Sequence, residues 1–456
     1  MLKKVSLIFL AFIAIINFAY SQGGTTASIS GRVTDADGKP LAGTTVKVVH
    51  QPTGTTAGAV TNNAGRFNII GLRVGGPYTV TISMVGYESQ IKENITLGID
   101  QNYSMNVRLV EKGVKTGTVD VIADKNEIIS SNRTGASQSV TESEIKSLPT
   151  IARSIHDYSR LSPHIISSTS EGSNVGGRNS KYNNIQVDGA IMSDAFGLSS
   201  AGTPGGQAGT EPISLDAIQE FQVAVAPFDV RLGGFTGGLI NAITRSGSNY
   251  YHGSAYFYGR NEKLVGNAVI KGPDGKYAPY PEYTDFQAGG RLGGPIIKDQ
   301  LFFFVNGEVR QRAEPQTLAY KGESGPNVFG LSREELKALR DSVITKYGYD
   351  PGSYDKYTRD VNNYKIFMRL DYNISNQHRL TLRHNFVNAE QDNSVTRSAT
   401  FFSYSGQEYI FKSLQNQTVL QLNSVLGKDM ANEFRLAYTQ VNDERDPQSR
   451  PFPSVT

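Results

Sequence analysis

The chain of 456 residues contains neither cysteine nor tryptophan. The lack of cysteine excludes disulfide bridges, thiol nucleophiles and thiolate metal sites, and it suits an exported protein that must avoid wrong bridges in an oxidising compartment. Beyond the N-terminus, no stretch stays apolar for the roughly 18 residues that a membrane-spanning helix needs. A membrane location would therefore require a β-barrel. The net charge of +3 gives no reason to expect nucleic-acid binding.

Sequence signatures of catalysis are also missing. The six histidines form no H-E-x-x-H pair, and no G-x-S-x-G sequence occurs. His378 and His384 lie on one face of a predicted strand, which is a weak pattern for a metal site. The glycine-rich segment Gly233–Gly238 lacks the Gly-Lys-Ser/Thr of a phosphate loop. We therefore expect no catalytic residues, no metal site and no cofactor.

The N-terminus Met1–Ser21 is typical of a secretory signal peptide. The charged pair Lys3-Lys4 precedes the apolar run Val5–Phe18, and Ala19-Tyr20-Ser21 has small residues where signal peptidase requires them. The apolar run, about 14 residues long, is short for a membrane span. We expect an exported mature chain that begins at Gln22.

Residues 22–110 are predicted to form a β-sandwich. Alternating segments such as Ser28–Val33, Thr44–Val49 and Tyr78–Val85 are separated by the turn sequences Asp35–Pro40 and Asn62–Gly65. Short strands bounded by Gly, Pro and Asn turns are the usual pattern of a sandwich.

The middle of the chain predicts a mixed α/β region. Thr141–Glu144 and Ser154–Asp157 have the helix-capping pattern and predict short helices toward Leu148 and Leu161. Ser167–Gly209 is rich in Gly, Ser and Asn and has little periodicity. Long irregular stretches within a compact domain are usually functional or disordered.

Seven segments in which apolar and polar residues alternate follow in the C-terminal half. The connections between them are alternately long and short. They are Tyr250–Arg260, Tyr283–Gly294, Leu301–Gln311, Tyr364–Ile374, His378–Val387, Gln417–Val425 and Glu433–Val441. Turns such as Ile297–Gln300, Ser375–Gln377 and Gly427–Met430 contrast with long polar excursions. Outer-membrane barrels sort their loops by length in this way, whereas a soluble sandwich has no reason to do so. Because large plugged transporters close at about 22 strands, we expect the barrel to continue beyond this sequence.

Three of these strands, Tyr364–Ile374, His378–Val387 and Glu433–Val441, have an apolar face and a polar face, and the polar faces carry Arg369, Arg383 and Arg435. In Tyr364–Ile374 the apolar face carries Ile366, Met368, Leu370, Tyr372 and Ile374, and the other carries Lys365, Arg369, Asp371 and Asn373, with Phe367 breaking the pattern. Such alternation fits a membrane strand beside a wet lumen and also a half-exposed soluble sheet. Export and the sidedness of the loops favour the barrel.

The long connection Arg312–Asn363 predicts a helix of its own. Ser332–Glu335 is a capping box, and apolar residues follow at helical spacing from Leu336 to Ile344. The helix fits a lid that contacts a ligand, and it equally fits an ordinary packed surface loop.

Several segments together resemble one protein family. "SISGRVTDADGKPLAG", "TNNAGRFNIIGL" and "YTVTISMVGYE" resemble the carboxypeptidase-regulatory-like domain, a transthyretin-like sandwich found before TonB-dependent outer-membrane receptors of Bacteroidetes-type bacteria. Gly177–Ala190 and Ile213–Glu262 resemble the plug and first barrel strand of those receptors, and Gly289–Glu308 resembles a hairpin of the Oar-like subfamily. The resemblance implies a mainly β chain: sandwich 22–110, linker 111–124, plug 125–248 and the first part of a transmembrane barrel, 249–456.

The resemblance also implies a function. Such receptors lie in the outer membrane of Gram-negative bacteria among lipid and lipopolysaccharide, with plug and sandwich on the periplasmic side. They bind an extracellular ligand and import it with energy from a TonB-type complex of the inner membrane. An Oar-type role in binding, adhesion or signalling without import stays open, as does the class of ligand.

Two sets of site residues follow from the resemblance. The candidate TonB-coupling residues are Thr118, Val119, Asp120, Val121, Ile122 and Ala123, which also fit a first plug strand. The candidate ligand-binding residues at the plug apex are Arg178, Asn179, Tyr182, Asn183, Asn184 and Asp188, which also fit a loop that merely packs inside the barrel.

Overall fold

The computed structural model describes residues 24–112, 136–148, 150, 153–168, 172–194, 196–225, 232–265, 267–271, 277–279, 282–315, 318–323, 327–355, 358–393, 395, 397–427 and 430–450. Strands account for 56% of the structure, which confirms the mainly β prediction. The predicted signal peptide Met1–Ser21 and the candidate coupling segment Thr118–Ala123 lie outside the described residues. Among those residues, no helix combines the length and the apolar character needed to cross a membrane.

The N-terminal strands form the predicted sandwich. Its strands are β1 (Thr26–Thr34), β2 (Thr45–His50), β3 (Thr55–Val60), β4 (Arg66–Arg73), β5 (Gly75–Ser83), β6 (Gln90–Leu97) and β7 (Asn102–Arg108). One sheet has the order β4-β1-β7 and the other β3-β2-β5-β6. Alternate apolar side chains of the two sheets, such as Ile29, Val46 and Val80, are fully buried between them. The turns form as predicted, because Asp35 and Asn62 each accept two backbone N–H groups with their side-chain oxygens.

The middle residues form a five-stranded sheet of order β12-β11-β14-β13-β8, which we call the inner sheet. Its elements and their neighbours are β8 (Ala136–Val140), α1 (Glu142–Ser147), α2 (Ile155–Ser159), β9 (Ile165–Ser168), β10 (Gly172–Val175), β11 (Asn184–Val187), β12 (Ala190–Ile191), β13 (Ile218–Val225) and β14 (Gly238–Thr244). Both short helices begin at the predicted capping boxes, at Thr141 and Ser154. The second helix is shorter than predicted and ends before Arg160.

All seven predicted strands of the C-terminal half lie in one antiparallel sheet, the wall. In spatial order they are β15 (His252–Asn261), β18 (Thr284–Ile297), β19 (Leu301–Pro315), β22 (Thr358–Asn373), β23 (His378–Asn393), β24 (Tyr409–Leu426) and β25 (Met430–Pro447). The long loops carry α3 (Glu262–Val265), β16 (Asn267–Lys271), β17 (Tyr277–Pro279), β20 (Leu318–Tyr320), β21 (Asn327–Phe329) and α4 (Arg333–Tyr347). The last of these helices starts at the predicted capping box of Ser332 and Glu335.

The wall has the reverse polarity of a soluble sheet. On β22 the apolar side chains Ile366, Met368 and Leu370 are 42%, 50% and 41% exposed, whereas Lys365 and Asp371 on the other face are 7% and 0% exposed. Water-soluble proteins bury apolar side chains, because their removal from water drives folding. An apolar outer face with a polar inner face is the arrangement of a membrane strand beside a lumen. The structure therefore favours the barrel over the half-exposed soluble sheet.

The inner sheet lies against the polar face of the wall, and the sandwich lies at the end of the wall that carries the short turns. Phe367, the residue that broke the alternation of β22, points inward and packs with Phe304 against the core of the inner sheet. At the short-turn end, the Asn249 N–H donates to the Pro52 carbonyl over 2.7 Å. The Asn373 amide donates to the Thr55 hydroxyl over 3.2 Å.

Candidate functional site between the inner sheet and the wall

A tight hairpin of the inner sheet forms the centre of its contact with the wall. Val187 pairs with Ala190 across the two-residue turn Asp188-Gly189. Both turn residues have positive φ, 45° and 70°. An Asp-Gly pair suits this turn, because asparagine, aspartate and glycine tolerate left-handed backbone better than other residues do. The turn thereby carries a carboxylate toward the wall.

Arginines of three wall strands surround this hairpin. The Arg383 Nε lies 3.1 Å and the Arg369 Nη1 3.6 Å from the Asp188 carboxylate. Arg383 also donates to the Val187 carbonyl, and Arg435 donates to the Gly189 carbonyl over 2.9 Å. Guanidinium groups on a polar lumen face thus hold both the charge and the backbone of the turn.

The Asp188 carboxylate also organises the inner sheet itself. It accepts hydrogen bonds from the Thr244 N–H (2.8 Å) and the Thr244 hydroxyl (2.7 Å) at the end of β14. Because Asp188 is only 4% exposed, loss of these partners would leave a buried unpaired charge, which is strongly unfavourable. We conclude that Asp188 joins the inner sheet to the wall.

A second polar contact joins the wall to the 3₁₀ turn Leu215–Ala217 that precedes β13. The Glu308 carboxylate, 6% exposed, accepts from the Ser214 hydroxyl (2.7 Å) and the Tyr256 hydroxyl (2.6 Å) and pairs with the Lys365 ammonium (3.0 Å). Like the contact at Asp188, this contact consists of hydrogen bonds and an ion pair. Such contacts are directional, and water can replace them when the surfaces separate.

The sandwich meets the same polar face at the short-turn end. Arg73 donates to the Asn373 amide oxygen over 2.9 Å and lies 3.6 Å from the Asp371 carboxylate. Nearby, burial together with the charges of Arg73 and Arg379 lowers the pKa of His50 to about 3. At the contact with the inner sheet, burial raises the pKa of Glu220, whose carboxylate accepts from Ser139 and from the Ile99 N–H.

At the opposite end of the wall, two long loops pack together into a small folded unit, residues 318–355 and 397–408, which we call the outer cap. Leu336 of the predicted helix is buried with Leu318 and Tyr320. Arg397 donates to the carbonyls of Ser403, Asp355 and Ser353 and stacks on the Phe402 ring. Part of the helix is packed in the cap, but Leu339 and Ile344 remain 49% and 37% exposed. The structure is therefore compatible both with a lid that contacts a ligand and with an ordinary packed surface loop.

The six predicted ligand-binding residues separate into two groups. Arg178, Asn179 and Tyr182 are exposed, whereas Asn183, Asn184 and Asp188 are buried. The Asn183 side chain accepts from the Gly238 N–H (3.0 Å), and the Asn184 amide donates to the Gly233 carbonyl (3.2 Å). The buried group therefore has partners within the inner sheet or the wall.

The wall residues that hold the hairpin were not predicted as site residues. Their signal was present in the sequence, because Arg369, Arg383 and Arg435 were assigned to the polar faces of three predicted strands. Charged residues on a lumen face need partners when that face is covered. The sequence pattern does not reveal that Asp188 is the partner.

Comparisons with known proteins agree with this architecture. Residues 28–110 match the family "Carboxypeptidase regulatory-like domain", and residues 243–321 match the family "Outer membrane beta barrel domain". The chain is 26% identical over 381 residues to the TonB-dependent transporter Oar of Myxococcus xanthus, in an alignment that covers 80% of this chain and 33% of that protein. Over most of its length this chain is similar to a TonB-dependent transporter of the Oar type. The match to an outer-membrane barrel family places the chain in the outer membrane, and the chain spans about a third of the length of the curated relative it matches.

Solved structures that resemble part of the chain include a transporter and a receptor. The outer membrane transporter YddB from Escherichia coli matches 67% of this chain with 39% of its own chain, at a TM-score of 0.48 and 10% identity. The siderophore receptor PirA from Pseudomonas aeruginosa matches 68% of this chain with 41% of its own chain, at a TM-score of 0.43 and 13% identity.

Proposed function

We propose that this chain acts in an outer-membrane receptor that binds an extracellular ligand and imports it with energy from a TonB-type complex, and that the protein is a transporter rather than an enzyme. In this proposal its parts are the sandwich (22–110), a linker (111–124), a plug (125–248) that contains the inner sheet, and a barrel segment (249–456). The observation that carries the proposal is the wall, whose apolar face is exposed and whose polar face is covered by the separately folded inner sheet.

The character of the contact between the inner sheet and the wall supports movement of the plug. Asp188 and Glu308 reach their partners across the contact through hydrogen bonds and ion pairs. A purely apolar contact would expose apolar surface to water when it opened. Polar groups that separate can instead form hydrogen bonds with water in place of their protein partners. A lumen contact of this kind can separate and re-form.

The order of the strands supports pulling from the linker. Among the strands that the structure describes, β8 lies at the edge of the inner sheet and pairs with β13 alone, from Ala136↔Val225 to Val140↔Phe221. The proposed coupling segment Thr118–Ala123 precedes β8 in the chain. A pull on that segment would break the strand pairs one after another, beginning at Ala136. The energy-transducing partner would bind the segment by adding it as a strand to its own sheet, since backbone pairing transmits force.

The proposed ligand contacts are the exposed residues of the plug apex, Arg178, Asn179 and Tyr182. In the proposed orientation the short turns and the sandwich face the periplasm, and the outer cap faces the outside. The buried residues Asn183, Asn184 and Asp188 would then support the apex from below.

The test uses the full-length protein in its native host. Deletion of Thr118–Ala123 should abolish ligand uptake in cells with an intact proton gradient and should leave ligand binding at the cell surface unchanged. Because residues 1–456 contain no cysteine, Val121→Cys also provides the single cross-linking site in this part of the protein for a cysteine placed in the TonB-type partner. Val60→Cys, at an exposed position of the sandwich, serves as the control. Uptake that survives the deletion would favour an Oar-type role in adhesion or signalling.

A further inference from the structure

A cavity lies where the sandwich, the inner sheet and the wall meet at the short-turn end. Its volume is about 370 Å³, which is in the range of sites for small ligands. The sandwich contributes Arg73 and His50, the inner sheet contributes Thr244, and the wall contributes Arg369 and Arg379. No single part of the fold forms this cavity alone.

Positive charge around the cavity exceeds the negative charge available to it. Arg73 and Arg369 share the Asp371 carboxylate, at 3.6 Å and 2.8 Å. The second carboxylate nearby, Asp188, lies between Arg369 and Arg383. Within the described part of the chain, Arg379 forms no ion pair with either acid. Of the five arginines that line the cavity, Arg245 and Arg291 pair with Glu142 and Asp216. The other three, Arg73, Arg369 and Arg379, therefore face two carboxylates, and one of these also pairs with Arg383.

Two arginines that line the cavity, one from the sandwich and one from the wall, do not use all of their hydrogen-bond donors. The Nε atoms of Arg73 and Arg379 are buried and have no hydrogen-bond partner among the described residues. A buried charge without a partner is strongly unfavourable. Buried side-chain donors in folded proteins nearly always have a partner, which is often a water molecule or an ion. The planar fork of arginine matches the oxygens of carboxylate and phosphate groups better than other side chains do.

We propose that this cavity binds a free oxyanion of the phosphate or carboxylate type, held by Arg73 from the sandwich and by Arg379 from the wall. The anion supplies the missing negative charge and accepts hydrogen bonds from the guanidinium groups of both arginines. Because its ligands come from two different parts of the fold, it also links the sandwich to the wall. His50 is consistent with this site, since burial and the charges of Arg73 and Arg379 lower its pKa and keep its ring neutral at the edge of the cavity.

The experiment measures binding of inorganic phosphate and, separately, of acetate to the full-length protein in detergent. Equilibrium dialysis at constant ionic strength, with chloride as the replacement anion, separates site binding from general screening. Saturable binding of either anion is expected. Arg379→Gln and Arg73→Gln should each weaken binding at least about tenfold, since each loses a charge-assisted contact. Arg66→Gln removes an exposed arginine of the same sandwich and should bind as the wild type does.

A conservative variant keeps the test valid if Arg379→Gln does not fold. Arg379→Lys retains the positive charge but loses the planar guanidinium group. The affinity of this variant for the anion should therefore lie between those of the wild type and Arg379→Gln. Preference for phosphate or for acetate assigns the class of anion. The proposal is overturned if neither anion binds saturably to the wild type, or if folded Arg379→Lys and Arg73→Gln both bind as tightly as the wild type. This site does not depend on active transport, so its failure would leave the proposed function untouched.

Discussion

Arg369 and Arg383 lie directly opposite each other on neighbouring wall strands, and the carboxylate of Asp188 lies within 3.6 Å of both. Like charges at opposed positions of a sheet repel each other. The two arginines are compatible in this register because the hairpin of the inner sheet inserts a negative charge between them. The wall therefore needs the negative charge that the inner sheet supplies, and the arginines of the wall in turn fix the position of the inner sheet.

The first prediction concerns this charge. Asp188→Ala leaves two buried arginines without their common partner and should destabilise the packing of the inner sheet against the wall by about 3–5 kcal/mol. Hydrogen exchange of the amides of β14 in the full-length protein measures this loss. Asp194→Ala removes a partly buried carboxylate that accepts only backbone N–H groups, so it should leave exchange in β14 unchanged. Because Asp188 and Arg383 contact each other, their alanine variants should be non-additive by at least about 0.5 kcal/mol, and strict additivity would contradict the contact.

The second prediction tests the outer face of the wall. Leu370 and Leu339 are exposed to similar extents, 41% and 49%, but only Leu370 lies on the apolar face of the wall. Leu370→Arg should disfavour insertion into a bilayer by about 2–4 kcal/mol if it lies near the midplane, whereas Leu339→Arg in the outer cap should have almost no effect. The folded fraction of the full-length protein in lipid vesicles measures both. Equal insertion of the two variants would argue against a lipid-facing wall.

The third prediction concerns the outer cap. Arg397→Gln removes charged donors from three carbonyl groups, and hydrogen bonds to charged groups contribute about 1.5–3 kcal/mol each. The cap should therefore lose most of its protection, which hydrogen exchange of helix α4 measures. The matched control is Arg340→Gln, whose ion pair with Asp350 is exposed and contributes at most about 1 kcal/mol. Protection of α4 that is equally reduced in both variants would contradict a special role for Arg397.

The fourth prediction concerns acid. The pKa of His50 falls from 6.5 in the unfolded chain to about 3 in the folded sandwich. Between these values the unfolded chain binds a proton that the folded chain does not, so stability decreases as the pH falls from about 6.5 toward 3. His50→Gln should remove this part of the pH dependence and leave the contribution of the carboxylates. Thermal unfolding of the sandwich in both full-length proteins, measured across this pH range, gives the difference, and identical acid profiles would show that His50 is not responsible.

Much of the fold could be predicted because its signals are local. The capping boxes at Thr141, Ser154 and Ser332 formed helices where predicted, since the capping hydrogen bonds join residues three positions apart. The strands of the wall were predicted from their alternation, although most extend further than predicted. In β22 the alternation ends near Tyr364, yet pairing with β19 continues to Thr358.

The candidate site was predictable only in part. The sequence drew attention to the segment that ends at Asp188, but as a ligand surface, and that role stays a prediction for its exposed residues Arg178, Asn179 and Tyr182. The contacts of Asp188 with Arg383 and of Ser214 with Glu308 join residues far apart in the chain. No local pattern specifies such pairs, because they depend on strand register and on how the inner sheet lies in the wall.

The sequence by itself determined the classes of structure: a sandwich, capped helices, and strands with one apolar and one charged face. These features follow from local backbone geometry and from a side-chain period of two. Only the tertiary structure decided which face is covered, which carboxylate meets which arginine, and that Arg73 of the sandwich lies beside Asp371. The reason is physical: the charges of the lumen face acquire partners only when distant segments pack together and exclude water.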